Sequence, residues 1–242
     1  MARRRPPSVT VEVTDGEGYI EVAGNAGGSM LLLAGDPAAV GGYDGSGSIG
    51  MLAGLAGAGA PSPAEVKSLV DWLELPGLRT LGRSRTAEPP DPERLRPLLR
   101  LFTPGRYVLT AHRPRVLVVD PAERPVWWCD EDVEAVLVRT DRLRSPAAVR
   151  RYRRRIEDGG GWPAVIALFP SLDAELGYVL DGHHKLTAYQ EAGHDPMVIS
   201  IRPETPFPPR RDDLRRVRSS ELNGPLYEMR TSFERPGGVM QA

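Results

Sequence analysis

Apolar and polar positions divide the chain into short segments with distinct periods. Val9, Val11 and Val13 alternate with Thr10 and Glu12, and Tyr19, Ile20 and Val22 return after Asp15-Gly16-Glu17-Gly18. A period of two on both sides of a glycine-containing turn predicts a hairpin over 8–22. The apolar run 30–33 predicts a third strand. Val66, Leu69, Val70 and Leu73 fall at helical spacing behind Ser62-Pro63-Ala64-Glu65, which predicts a capped helix running to about residue 75, stopped by Pro76-Gly77. Asp91-Pro92-Glu93-Arg94 starts a second helix, over 95–102, and two strands follow at 106–110 and 115–119. Beyond them, the runs 136–138, 164–169, 178–180 and 197–201 read as strands. Two helices fall among these runs, at 145–158 and from 183 to Gly193.

Between these segments the composition shifts. Residues 35–63 are dominated by Gly, Ala and Ser, which predicts a flexible loop. Gly45-Ser46-Gly47-Ser48-Ile49-Gly50 fits G-x-G-x-x-G, but no strand leads directly into it and no Gly-Lys-Ser/Thr follows, so a plain loop is the simpler reading. The tail 203–242 is rich in Pro and Arg and predicts a short helix near 212–217 and a strand or clasp near 226–233. It buries too little apolar surface to be ordered throughout. Three regions are expected: an α+β region over 1–125 holding the Gly/Ala-rich loop, an α/β region over 126–202, and the tail. The expected fold class is α+β, a small mixed sheet with flanking helices.

Charge and cysteine content narrow the setting. Among 242 residues, 31 Lys and Arg nearly balance 32 Asp and Glu, so the whole chain is not a polycation built for nucleic acid. The single cysteine, Cys129, forms no intrachain disulfide, which suits a cytoplasmic setting. Met1-Ala2-Arg3-Arg4-Arg5 leads into Pro6-Pro7 without an apolar core, so no secretion signal is expected, and no apolar run reaches the length of a membrane span.

Three places carry candidate chemistry. Val126-Trp127-Trp128-Cys129 is the most aromatic; it suits core packing or a wall for a nucleotide base. Seven arginines and no acid stand between Arg142 and Arg155, on and before the helix at 145–158. They form either a solvated face or an anion patch for nucleotide phosphates or a nucleic-acid backbone. The third place organises the rest: Asp181-Gly182-His183-His184-Lys185, between the strand ending at Leu180 and the helix closing at Gly193. Asp181 is placed to cap that helix, and Gly182 lets backbone approach a ligand. The first helical N–H groups, with His183, His184 and Lys185 around them, suit an anion. The two histidines are not expected to share a metal, because neighbours on a helix point about 100° apart; Asp181 and His184, three apart, could share an ion more easily, but no third ligand is evident.

This five-residue motif, with the element order of residues 133–202 around it, resembles the ParB/sulfiredoxin-like superfamily. The branch carrying Asp-Gly-His-His-Arg includes nucleotide-dependent free-serine kinases. The resemblance implies ATP or ADP, or CTP, with Mg²⁺, a small hydroxyl-bearing acceptor, and phosphoryl transfer. Gly182, His183, His184, Lys185, Arg142 and Arg144 would hold phosphates. Asp181 and His183 would be catalytic, Asp181 by orienting or deprotonating the acceptor or by holding Mg²⁺. A nucleic-acid-associated role through 142–155 and an inactive nucleotide-binding module are the alternatives. The chain departs from the branch twice. Lys185 replaces the usual Arg, and Arg144-Ser145-Pro146-Ala147-Ala148 lacks the Glu that the serine kinases carry after their first strand. The sulfiredoxin branch needs a cysteine in the signature loop, and His183 stands there instead.

Overall fold

A computed structural model of the protein describes residues 6–25, 27–43, 51–55, 60–67, 90–121, 126–128, 133–140, 145–159 and 161–217. In chain order come β1 (Ser8–Val13), β2 (Ile20–Gly24), β3 (Gly28–Leu33), β4 (Asp36–Tyr43) and β5 (Met51–Leu55). Next are α1 (Pro63–Lys67), α2 (Pro92–Leu99), β6 (Gly105–His112), β7 (Val116–Val119) and β8 (Val126–Trp128). Then follow β9 (Ala135–Val138), α3 (Pro146–Glu157), β10 (Val165–Leu168), β11 (Leu176–Asp181), α4 (His183–Ala192), β12 (Val198–Pro203) and α5 (Arg211–Arg216).

The fold is α+β. A seven-stranded mixed sheet runs β1-β6-β12-β10-β11-β9-β7, and a five-stranded antiparallel sheet runs β2-β3-β4-β5-β8. Strands from either side of residue 125 share both sheets. Within the larger sheet, β7, β9 and β11 lie parallel to one another at one end, with Val119 opposite Val138 and Val138 opposite Tyr178.

β11 is buried along its length because both of its faces are covered, which is why it reads as a continuous apolar run. Leu176, Tyr178 and Leu180 turn toward the smaller sheet and pack with Leu31, Leu33 and Ala39. Val179 turns the other way and packs with Leu186 of α4. The Tyr178 hydroxyl donates to the Ser29 carbonyl at 2.8 Å and accepts from the Ser29 hydroxyl at 3.0 Å, which ties the two sheets together. α3 packs on α4 through Val149, Ile156, Ala188 and Tyr189. α5 covers the outer face of the smaller sheet, where Leu214 and Val217 meet Met30, Leu32 and Val40. No helix among the described residues is long and apolar enough to cross a membrane.

Two expectations are corrected here. The predicted hairpin over 8–22 does not form: β1 pairs with β6, and β2 pairs with β3 in the other sheet. The connection between them is held by the turn after α2, where Glu17 N–H donates to Arg100 O, Gly18 N–H to Phe102 O and Ile20 N–H to Leu101 O. Those three bonds carry the chain from one sheet to the other. The Gly/Ala-rich stretch is not simply loop either, since β4 and β5 lie within it. Its small residues serve close packing: a Cβ on Gly41 would come within 2.7 Å of Leu176 Cδ1. The glycine-rich motif at 45–50, Cys129 and residues 226–233 lie outside the described residues.

Candidate functional site

Three parallel strands end side by side, and a polar residue follows the apolar run of each: Asp120 after β7, Arg139 and Thr140 after β9, Asp181 at the end of β11. In open α/β sheets, ligands gather at the carboxyl ends of parallel strands. α4 begins there. Its cap position is Gly182, with φ +104°, and no side chain caps it. L-residues rarely adopt that φ, and an added Cβ would stand 3.1 Å from Val165 Cα, so glycine is required twice over.

Asp181 does not act as the expected N-cap. It remains in the strand, and its carboxylate lies between two ammonium groups. Lys67 Nζ donates to Oδ1 at 3.0 Å, and Lys185 Nζ donates to Oδ2 at 2.7 Å. Lys185 also donates to Ala164 O at 2.7 Å. The cluster is largely withdrawn from water, with 7%, 12% and 21% of the Lys67, Lys185 and Asp181 side chains exposed. Burial pushes the Asp181 pKa up, but Lys185 and Lys67 together outweigh burial and hold it well below the usual carboxylate range.

The two histidines turn toward the segment after β9. Thr140 N–H donates to His183 Nε2 at 3.2 Å, and Ser145 N–H donates to His184 Nε2 at 3.1 Å. Each ring therefore receives a backbone proton at Nε2, which assigns the neutral tautomer protonated at Nδ1 to His183. Burial is the main reason that the His183 pKa falls to about 3, with the Lys67 and Arg139 cations adding to it against Asp181. The Thr140 hydroxyl donates to Val179 O. Both ends of the segment 140–145 are thus tied to the start of α4, and Ser145 in turn caps α3 by accepting from Ala148 N–H at 3.2 Å.

Arg139 is 5% exposed and braces the first two turns of α4. It donates to His183 O at 2.9 Å, to Thr187 Oγ1 at 2.8 Å and to Gln190 Oε1 at 3.0 Å, and Asp120 stands 3.9 Å from its Nε. Burial lowers its pKa, against the pull of Asp120.

Of the residues singled out from sequence, Asp181, Gly182, His183, His184 and Lys185 come together here. Arg142 and Arg144 lie outside the described residues. Sequence reasoning missed Lys67, Arg139 and Thr140. Arg139 and Thr140 had a visible signal, since polar residues directly after the apolar run Val136-Leu137-Val138 occupy a strand's carboxyl end. Lys67 had none: beside Glu65 and Val66, it reads as a solvated helix lysine. On α3, Arg150, Arg151 and Arg154 are exposed, while Arg153 pairs with Glu157 at 2.7 Å and Glu191 at 3.6 Å.

No family model matches the chain, and neither a curated protein nor a solved structure matches it.

Proposed function

We propose that this protein binds a nucleotide, with its phosphates at the start of α4. The observation that carries this reading is the convergence at one helix N-terminus of an uncapped glycine turn and two largely buried lysines. Oriented N–H groups, the positive end of the helix dipole and ammonium groups all favour an anion there. The resemblance of 133–202 to the ParB/sulfiredoxin-like superfamily points the same way.

Within this reading the motif residues take different parts from those the resemblance implies. Lys185 and the turn at Gly182 face the ligand. His183 and His184 hold Thr140 and Ser145, and Arg139 braces the helix that presents the amides. Asp181 is a poor base, since a carboxylate held this far below its ordinary range has little affinity for a hydroxyl proton. Mg²⁺ commonly takes one or two carboxylates together with substrate phosphates. Both oxygens of Asp181 already accept from ammonium groups, and the described residues hold no group of three His, Cys, Asp or Glu suited to a metal. Asp181 therefore does not fit as a Mg²⁺ ligand in this arrangement. The geometry supports binding above transfer to a hydroxyl acceptor.

Titration of the purified protein with ATP, ADP, CTP and GTP, followed by thermal melting, tests the reading. A ligand at 100 times its dissociation constant should stabilise the fold by about 2.7 kcal/mol. Lys185→Met should remove that gain, and a flat response to all four nucleotides would sink the proposal.

The exposed Arg150, Arg151 and Arg154 favour a second reading, contact with a nucleic-acid backbone. Three phosphate contacts predict a log–log salt slope of about −2.7 in gel-shift titrations. No shift at low salt would remove it.

A further inference from the structure

We propose that Lys67 is a specificity-determining residue of this site, and that with Lys185 it selects ligands ending in a free terminal phosphate dianion over ligands whose terminal phosphate is esterified. The inference rests on the nucleotide reading above and goes beyond it by naming the terminal group and the residue that recognises it.

Lys67 comes from the far side of the chain, 114 residues from Asp181. It is fixed there from both ends of α1. At the start, Ser62 Oγ accepts from Glu65 N–H at 3.2 Å, and Glu65 Oε2 accepts from Ser62 N–H at 2.6 Å, a closed capping box. At the other end Val66 is buried in the core that Leu180 shares. The lysine beside it is 5% exposed and points at the strand end. An ammonium is costly to bury, and a lysine serving only solubility has no reason to lie there.

Two ammonium groups grip one carboxylate, one at each oxygen. A phosphate presents pairs of oxygens at a spacing close to that of a carboxylate, so the same two groups suit two oxygens of one phosphate. To draw them from Asp181 a ligand must offer more than Asp181 does. An esterified terminal phosphate carries one negative charge, the same as the carboxylate, and gains nothing by the exchange. A free terminal phosphate above its second pKa of about 6 carries two charges and three acceptor oxygens. It can take both lysines while the positive end of α4 and the buried Arg139 stay close by. Without Lys67, one ammonium remains and the distinction fades.

The test compares ATP with its γ-methyl ester, which shares base, sugar and chain but carries an esterified terminal phosphate. Isothermal titration of the full chain at pH 7.5 should show at least tenfold tighter binding of ATP. Lys67→Met keeps the length of the stem and removes the charge. It should lower ATP affinity at least tenfold, leave the ester within about threefold, and so bring the two together. Lys67→Arg should retain a preference for ATP. Should the Met variant fail to fold, wild type answers alone: ATP affinity should fall about tenfold from pH 7 to pH 5 as the terminal phosphate gains its proton, while ester affinity stays level. Asp181 and His183 are both held low and keep their charge over this range, and the ester control cancels titration elsewhere in the protein. Equal binding of ATP and ester by wild type overturns the inference and leaves nucleotide binding standing, as does undiminished discrimination in Lys67→Met. Failure of wild type to bind either removes the nucleotide reading and this inference with it.

Discussion

Asp181→Asn separates a carboxylate that holds the site together from one that only starts a helix. The substitution keeps shape and removes one charge. Its amide oxygen can accept from one lysine, and its NH₂ then faces the other. Breaking a buried ion pair by removing one partner costs about 3–5 kcal/mol. The Asp181 side chain is 21% exposed, so about 3 kcal/mol is the appropriate end of that range. In a chain of 242 residues each kcal/mol moves the melting temperature by about 2–4 °C, giving a fall of about 6–12 °C. Ligand binding should change in the opposite direction. Asp181 competes with phosphate for both lysines, and its removal leaves the site one unit more positive. One charge at about 6 Å and an effective dielectric of about 20 is worth about 2.8 kcal/mol before salt screening. At least tenfold tighter ATP binding is therefore expected in the variant. Thermal melting by circular dichroism, with and without ATP, reads both effects: a lower melting point alone and a larger shift with ligand. A fall under about 2 °C would refute the ion-pair account, and weaker ATP binding would show that Asp181 serves the ligand rather than competing with it.

Three further outcomes follow from other contacts. His183 has a folded pKa of about 3 against an ordinary 6.5, so the unfolded chain takes up a proton that the folded chain refuses over that window, and stability falls as pH drops below about 6.5. The loss is up to about 1.4 kcal/mol per pH unit. Asp181 contributes in the same sense only below about pH 4, where its unfolded carboxyl gains a proton. Urea midpoints at pH 7, 6 and 5 should decline more steeply in wild type than in His183→Gln, and parallel declines would sink the assignment. Gly182→Ala must force a side chain into φ +104° against Val165, at a cost of about 1–3 kcal/mol in chemical denaturation; unchanged stability would contradict the turn described. Ser200 is fully buried with an unpartnered hydroxyl, so Ser200→Ala should raise stability by about 1 kcal/mol, and a destabilised variant would show that the hydroxyl has a partner.

The sequence announced elements better than it announced their partners. β11 and α4 were legible because a both-faces-buried strand, a glycine and a helical stop leave local marks. The caps of α2 and α3, Asp91 and Ser145, were legible for the same reason: each is a bond within three residues. Pairing was not. β1 and β2 carry the alternation of a hairpin, yet what separates them is a set of backbone bonds to residues 100–102, which no side-chain pattern encodes. Glycine richness around Gly41 resembles flexibility in composition and becomes close packing only once Leu176 is seen above it. At the site, the motif gave the residues of one strand and one helix. It assigned the histidines to the ligand because neighbours in sequence look like neighbours in role. Their rings accept from Thr140 N–H and Ser145 N–H, at separations of 43 and 39 residues that no local pattern encodes.

The reach of Lys67 to Asp181 also sets an order of events during synthesis. The two residues are 114 positions apart, and a ribosome adding about 5–20 residues per second needs about 6–23 s to make that stretch. Through that interval α1 exists without the carboxylate its lysine will meet, and β6, once made, still lacks β12, one of the two strands it will lie between. The ammonium stays in water until its counter-ion has emerged, since burying it alone is too costly. The smaller sheet has nearly all its strands early, whereas the anion cluster closes only when the last third of the chain arrives. A nascent chain halted before residue 181 should therefore carry much of one sheet and only unassembled parts of the site.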